Sequence, residues 1–308
     1  MALALLAACI ITAGEYLDWP TPTWAQIWAR LDISRTVQVP QASEGAETRI
    51  HFIDAGQADA TLLEQSGHFA LVDAGLRENQ ERLAAYLEAA GTQALDYLIL
   101  THPHADHIGG MAYILRRFPV EQLLLAQTDG LDGTDAYALD SLLDLAGELE
   151  VPVDILDAGD RFALGEGEMQ VLVTGLDDGN VNDLCPVMRF TAPHIRYLFT
   201  GDAEQPVEQK ALDAWLSLRA DVFKAGHHGS STSNSVDFVR AVAPDFAVVS
   251  CGAENDYGHP HAAVLRAFRS AGTQVYRTDQ LGDIVFYVDD EGIIQLAAAK
   301  VAGPAAAA

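Results

Sequence analysis

The chain has 308 residues, 49% apolar and only 20% charged, which supplies a sizeable core and excludes a disordered or fibrous polypeptide. Its 44 acidic residues against 18 basic ones leave a net charge of −26. A broad basic track that clamps nucleic acid regardless of sequence is therefore disfavoured, and solubility or a high-salt habitat accounts for the charge equally well. No Pro-, Ser- or Gly-rich linker divides the chain after residue 50, so one large domain is expected. Cys9, Cys185 and Cys251 are too few and too scattered for a disulfide framework or a cysteine metal site.

Residues 1–18 read as an export signal or membrane anchor. Met1–Gly14 is apolar throughout, but shorter than the ~20 residues of a spanning helix and without a basic lead. Lipoprotein cleavage at Leu6-Ala7-Ala8-Cys9 and a buried N-terminal helix are the alternatives. Residues 19–47 read as a linker broken by Trp19-Pro20-Thr21-Pro22. Within it, Thr23–Leu31 forms an amphipathic helix with Thr23 and Gln26 as a capping box. Its Trp24, Ile27, Trp28 and Leu31 suit either a membrane interface or packing on the domain.

From there to residue 298 the chain alternates strands and helices, before a tail at 299–308 that ends in Ala305–Ala308. Strands are expected at Arg49–Asp54, Ala60–Gln65 and His68–Asp73, with a tight turn at Ser66-Gly67, then a helix at Arg82–Ala90 and a strand at Asp96–Thr101. A helix at Met111–Phe118, a strand at Gln122–Ala126 and a helix at Asp135–Leu149 follow. The second half repeats the scheme, with strands at Met169–Thr174, Val187–Phe190 and Arg196–Thr200, a helix at Val207–Leu218, strands at Asp221–Lys224 and Phe246–Ser250, and two further helices. Two such halves fit an α/β sandwich of two facing sheets with helices outside, although alternation alone allows other α/β folds.

The most informative stretch is Thr101-His102-Pro103-His104-Ala105-Asp106-His107-Ile108-Gly109-Gly110, at the end of a predicted strand. In extended chain His102 and His104 project to the same side, while Pro103 delays the turn into helix and Asp106 and His107 point elsewhere. That pattern offers two ligands to each of two neighbouring metal ions, and imidazole with carboxylate suits Zn²⁺ or Mn²⁺. Seven of the ten histidines, including His227, His228, His259 and His261, lie in such polar strings, whereas His51, His68 and His194 stand alone and read as structural.

The H-x-H-x-D-H pattern resembles the signature of the metallo-β-lactamase superfamily. Its companions are His51–Ala60, Leu71-Val72-Asp73-Ala74-Gly75, Phe199-Thr200-Gly201-Asp202, Lys224–Ser230, Tyr257-Gly258-His259-Pro260 and Tyr276-Arg277-Thr278-Asp279. In that order they resemble the branch formed by the C-terminal hydrolase domain of ComEC, a competence DNA-uptake channel protein, and its stand-alone extracellular relatives, over roughly residues 48–298. The resemblance implies a four-layer αββα sandwich of two mixed β-sheets and two divalent ions, zinc or manganese. It places His102, His104 and Asp202 at metal one and Asp106, His107, Asp202 and His259 at metal two, with Asp202 bridging. Asn182 stands near the usual third histidine of metal one, as ligand or rim, and Cys185 and Pro186 depart from the residues usual there. Asp73 is placed so as to orient a liganding imidazole or support the metal loop, and Asp54, Gln57 and Asp59 shape the adjacent loop. Asp106, Lys224, His227 and His228 are expected in the chemistry, the two histidines on a phosphate or leaving group, with metal ligation by one of them an alternative. Ser230, Ser231, Thr232 and Ser233 are expected to bind an anion at a helix N-terminus, a plain cap being the simpler role.

Metal-assisted hydrolysis follows, with a phosphodiester substrate implied by the resemblance, DNA outside the cell in particular. A cell-surface or extracellular location, with membrane attachment through the N-terminus, accompanies that reading, and no protein partner is inferred. The net charge of −26 favours a smaller ester of the cell wall or of solution, which needs no long basic track. A surface binding module without catalysis is the third reading, opposed by the nearly complete ligand set.

Overall fold

In the computed structural model, which describes residues 37–43, 45–128 and 131–300, the apolar runs become fifteen strands in two sheets. The apolar leader with Cys9, the Thr23–Leu31 helix and the tail from residue 301 lie outside the described residues. Val39 onward forms a single unit.

The first half contributes β1 (Thr48–Phe52), β2 (Thr61–Gln65), β3 (His68–Val72), β4 (Leu95–Leu100), β5 (Val120–Leu125) and β6 (Val153–Ile155). The second contributes β7 (Arg161–Leu164), β8 (Gly167–Val173), β9 (Val187–Ala192), β10 (Ile195–Phe199), β11 (Val222–Lys224), β12 (Phe246–Val249) and β13 (Gln274–Arg277). The hairpin β14 (Ile284–Val288) and β15 (Ile294–Ala298) then returns to the first sheet. The sheet orders are β15-β14-β1-β2-β3-β4-β5-β6 and β13-β12-β11-β10-β9-β8-β7. Both sheets are mixed, with β3 to β6 parallel in one and β10 to β13 parallel in the other. Helices α1 (Gln80–Ala89), α2 (Ala105–Ile108), α3 (Met111–Arg117), α4 (Gly133–Glu148), α5 (Gln205–Asp213), α6 (Val236–Val242), α7 (Ala262–Ala271) and α8 (Thr278–Leu281) join the strands.

Alternation along the strands separates the layers. On β10, Ile195, Tyr197 and Phe199 enter the core between the sheets with Phe52, Ile99, Leu124, Phe190 and Phe286, while Leu198 turns outward. Leu198 packs with Phe223 and Val249 under Val207, Phe238, Val264 and Phe268 of α5, α6 and α7. The result is the expected four-layer sandwich.

Two expectations need correction. The helix predicted over Val207–Leu218 stops at Asp213, because Trp215 enters the left-handed region at φ 54° and lies 94% exposed, and Leu218 reaches the core from the following loop. Strands β6, β7 and β13 to β15 were not anticipated. β6 and β7 are short and half-exposed, and β14 acquires its strand character from pairing with β1, Ile50 opposite Phe286. Gly109 and Gly110 have a steric reason. A Cβ there would lie 2.4 Å from the Ala105 carbonyl oxygen and 2.3 Å from that of Ala74, so only glycine lets the metal loop pack on the loop after β3.

Candidate metal centre

The parallel strands of both sheets end on one face of the sandwich, and the loops leaving β3, β4, β10, β11 and β12 carry the chemistry-bearing side chains. Backbone bonds stitch these loops together. The Asp59 amide donates to the Asp106 carbonyl, that of Ala74 to His107, that of Gly75 to Asp59, and that of His227 to Gly201. The site is thereby built on rigid strand ends although its residues are far apart in the chain.

Asp202 lies at the centre, fully enclosed. Its Oδ1 is 3.4 Å from His107 Nε2, and its Oδ2 is 3.4 Å from His228 Nε2 and 3.7 Å from His227 Nε2. Asp106 Oδ2 stands 3.2 Å from His228 Nε2 and 4.0 Å from His107 Nε2. Beside His107, at 4.1 Å between ring centres, His102 Nε2 faces His104 Nδ1 at 2.9 Å. Within the loop His102 and His104 face each other, while Asp106 and His107 face His228 and Asp202.

The orientation of each ring follows from what holds its other nitrogen. His107 Nδ1 donates to Asp73 Oδ2 at 2.8 Å, so Nε2 is the lone-pair nitrogen of the neutral ring, and it is buried with no hydrogen-bond partner. His228 Nδ1 donates to the Ser250 carbonyl at 2.9 Å, which turns Nε2 toward the carboxylates of Asp106 and Asp202 as the nitrogen that would ligate once its proton is displaced. The Thr101 hydroxyl donates to Asp73 Oδ2 and can therefore accept from His102 Nδ1 at 3.3 Å, so His102 Nε2 also presents a lone pair. Asp73, at φ 57°, anchors the assembly and also accepts from the Thr101 amide.

His259 differs. Gln57 Oε1 accepts from the Gly252 amide at 3.0 Å, which fixes the side-chain amide, and Gln57 Nε2 donates to His259 Nδ1 at 3.2 Å. Nδ1 is thus an acceptor, and the proton of the neutral ring sits on Nε2. Asp59, His107, Asp202 and His228 form the tight group of ligand atoms, all within 4.8 Å of one another, and His259 is outside it. Its ring is 6.4 Å from that of His228 and 5.8 Å from that of His227, centre to centre, with Tyr257 stacked on it at 5.5 Å. His228, and not His259, supplies the second imidazole of that tight group.

Other residues also move from their expected places. Lys224 does not reach the opening. It is 3% exposed, pairs with Asp59 Oδ2 at 2.5 Å and donates to the Ala225 carbonyl, and so balances charge behind His228, whose Nδ1 is 3.7 Å from Asp59. Asp59 was underweighted in sequence because one carboxylate in an apolar run gives no sign of a partner 165 residues away. Ser230, Ser231, Thr232 and Ser233 are not at a helix N-terminus, since Ser235 caps α6 by accepting from Phe238. The Ser233 hydroxyl donates to the Ala203 carbonyl, Ser230 pairs with Thr232, and the Ser231 amide donates to His261. Asp54 turns its own loop, accepting from the Gly56 amide, and does not touch the group. Asn182 donates to Glu204 Oε1, which faces His227 Nδ1 at 3.4 Å, and its own Oδ1 is buried without a partner.

His227 and His228 occupy left-handed backbone at φ 49° and 51°, which costs of order 1–3 kcal/mol each. Asn234 holds the turn by accepting from the Gly226 amide and donating to the Gly226 and Ser230 carbonyls, while Glu208 accepts from the Ser235 amide. Neither brace was foreseen, because an Asn in a polar loop and a Glu on a helix have no distinguishing pattern.

The electrostatics fit a cation. Burial alone would lower the pKa of His228, but Asp202, Asp59 and Asp106 outweigh it and push it up to about 10, and Asp202 and Asp73 likewise hold His107 well above its ordinary value. Burial would raise Asp202, yet the two imidazoles keep it well below the carboxylate range. Protons thus sit where positive charge is demanded, and Asp202 Oδ1 and His107 Nε2 are buried without hydrogen-bond partners. Burial and neighbouring imidazoles instead push His259 down to about 4.

Fold and site together define a metal-dependent hydrolase type, with histidines and carboxylates gathered at the strand ends of an αββα sandwich. Residues 53–253 match the metallo-beta-lactamase superfamily, to which the chain belongs. The chain is 29% identical over 260 residues to ComE operon protein 3 of Bacillus subtilis (strain 168), covering 78% of this chain and 33% of that protein. It is also 29% identical over 296 residues to Competence protein ComA of Neisseria gonorrhoeae, covering 95% and 40%. It therefore spans well under half of these relatives. Among solved structures, the metallo-beta-lactamase fold protein YhfI of Bacillus subtilis superposes with a TM-score of 0.50 at 14% identity, over 75% of this chain and 96% of that one.

Proposed function

We propose that the chain hydrolyses phosphodiesters, with DNA at or outside the cell surface as its substrate. The observation that carries the reading is the convergence of His107 and His228 on Asp202, with Asp106 against His228 and the His102–His104 pair beside His107. His102 and His104, with Asn182, would hold one divalent ion, and Asp106, His107, His228 and the shared Asp202 a second; nitrogen and oxygen donors of this kind suit zinc or manganese. Such ions supply Lewis acidity and a coordinated water of pKa near ~7. Asp73, Ser250 and Thr101 hold the Nδ1 side of each ring and so aim Nε2, the nitrogen that would lose its proton to a metal. His227, half-buried between Asp202 and Glu204, meets a phosphoryl oxygen at the rim. The substrate reading draws on the names of the competence relatives, and attachment at the cell surface through the N-terminal segment belongs to it. Among the described residues no helix is long and apolar enough to cross a membrane.

A second reading, a small phosphodiester or ester as substrate, is favoured by the rim. A groove of about 580 Å³ runs between the metal loop and α4, mostly apolar, with Arg77 the sole basic residue lining it among the described residues. The adjoining groove carries Asp132, Asp135 and Asp177, and Asp135 lies 3.9 Å from His104. Hydrolysis of a chromogenic phosphodiester and of DNA, before and after chelation and with Mn²⁺ or Zn²⁺ restored separately, tests both. Loss on chelation and recovery with metal is expected. Activity indifferent to chelation refutes the metal-hydrolase reading, and turnover of the small ester but of no DNA at any salt concentration decides for the second.

A further inference from the structure

We infer that His259 is not a metal ligand but a neutral hydrogen-bond donor to the substrate, held in the Nε2–H form by Gln57. The inference deepens the hydrolase reading and rests on it for the identity of the acceptor, an oxygen that gains negative charge in the transition state. Its basis is a chain of hydrogen bonds with only one consistent direction. The Gly252 amide can only donate, so the Gln57 atom facing it at 3.0 Å is the carbonyl oxygen. The other end of the same amide is then NH₂, and it donates to His259 Nδ1 at 3.2 Å. A ring nitrogen that accepts carries no proton, so the hydrogen of the neutral ring is on Nε2, the nitrogen that would have to be bare to bind a metal.

The ligand rings are held in the opposite sense. His107 Nδ1 faces a carboxylate and His228 Nδ1 a carbonyl, both acceptors, so in each case it is Nε2 that becomes the lone-pair nitrogen once the ring is neutral. Three imidazoles at one site thus sort into two ligands and one donor by the chemistry of their partners. Asn255 fixes the His259 backbone, accepting from its amide and donating to its carbonyl, and Tyr257 stacks on the ring. Among the described residues Nε2 has no hydrogen-bond partner, and the side chain stands at the lip of the site beside His227. Gln57 is a positioning residue, and a preorganised donor of this kind contributes about 10²–10³ in rate when it meets developing charge.

The decisive measurement is the ¹⁵N shift pattern of the His259 ring in histidine-labelled, metal-free protein, which should show a bare Nδ1 and a protonated Nε2. The reverse pattern overturns the inference. His259→Ala should keep the metal content of the parent protein by elemental analysis while kcat on a chromogenic phosphodiester falls about 10²-fold or more, with KM changed far less. Release of a metal equivalent from His259→Ala, or an unchanged kcat, also overturns it. Gln57→Glu leaves one oxygen for the Gly252 amide and turns the other into an acceptor for Nδ1–H. The ring should flip its tautomer and kcat fall comparably with metal retained, and full activity with the original tautomer contradicts the role given to Gln57. The ring shifts and the metal content bear on His259 whether or not any phosphodiester is turned over, so a failure of the substrate reading stays distinguishable.

Discussion

Replacing Asp73 by asparagine should separate orientation of a ligand from ligation itself. The carboxylate accepts three hydrogen bonds, from the Thr101 amide at 2.9 Å, the Thr101 hydroxyl at 2.8 Å and His107 Nδ1 at 2.8 Å, spread over both oxygens. The amide of Asp73→Asn has a single acceptor oxygen, so in either flip an NH₂ faces a donor. If it faces His107, the ring is driven to the tautomer with a proton on Nε2, and if it faces Thr101, a buried backbone N–H is left unpaired at about 1–3 kcal/mol. The strained φ of 57° is not a confounding factor, because asparagine tolerates the left-handed region as aspartate does. Metal affinity, measured by competition with a chromophoric chelator, should fall about 10–100-fold, and the metal-free protein should lose about 1–3 kcal/mol in urea denaturation. Affinity within twofold of the parent, with unchanged stability, would refute the claim that Asp73 sets the His107 tautomer.

Gly201→Ala should cost about 2–4 kcal/mol, since φ is +51° and the new Cβ would lie 2.8 Å from Cys185 Sγ and from Thr101; a loss below ~0.5 kcal/mol in denaturant titration contradicts that packing. Lys224→Met strands the buried Asp59 carboxylate and should destabilise by about 3–5 kcal/mol, whereas adding Asp59→Asn should restore much of the stability and of the activity. An inert but stable double variant would return Lys224 to the chemistry. In metal-free protein the folded pKa of His228, about 10, lies above its ordinary 6.5, so the stabilisation is fully present below pH 6.5 and is lost as pH rises through 10. The melting temperature of chelated protein should accordingly fall between pH 7 and 10 and flatten when a divalent ion is added, and a rise over that window would be inconsistent with the carboxylate cluster.

The metal loop was legible because its chemistry is local. His102, His104, Asp106 and His107 lie within one strand end and one short helix, so the two-residue period and the proline dictate how they divide. Asp73 and Asp202 were legible for a related reason, each closing an apolar strand at the end where a parallel sheet presents its site. Apolar period and alternation marked most strands and helices, while the four layers were what the family resemblance implied; β14 and β15 escaped both, since that hairpin reveals its sheet only by pairing with β1. Which imidazole would ligate was beyond any local pattern. His228 and His259 are equivalent as letters, and they differ because one meets the Ser250 carbonyl while the other meets Gln57, 202 residues away in the chain. A histidine is made ligand or donor by whatever holds its second nitrogen, and those partners come together only when the sheets close.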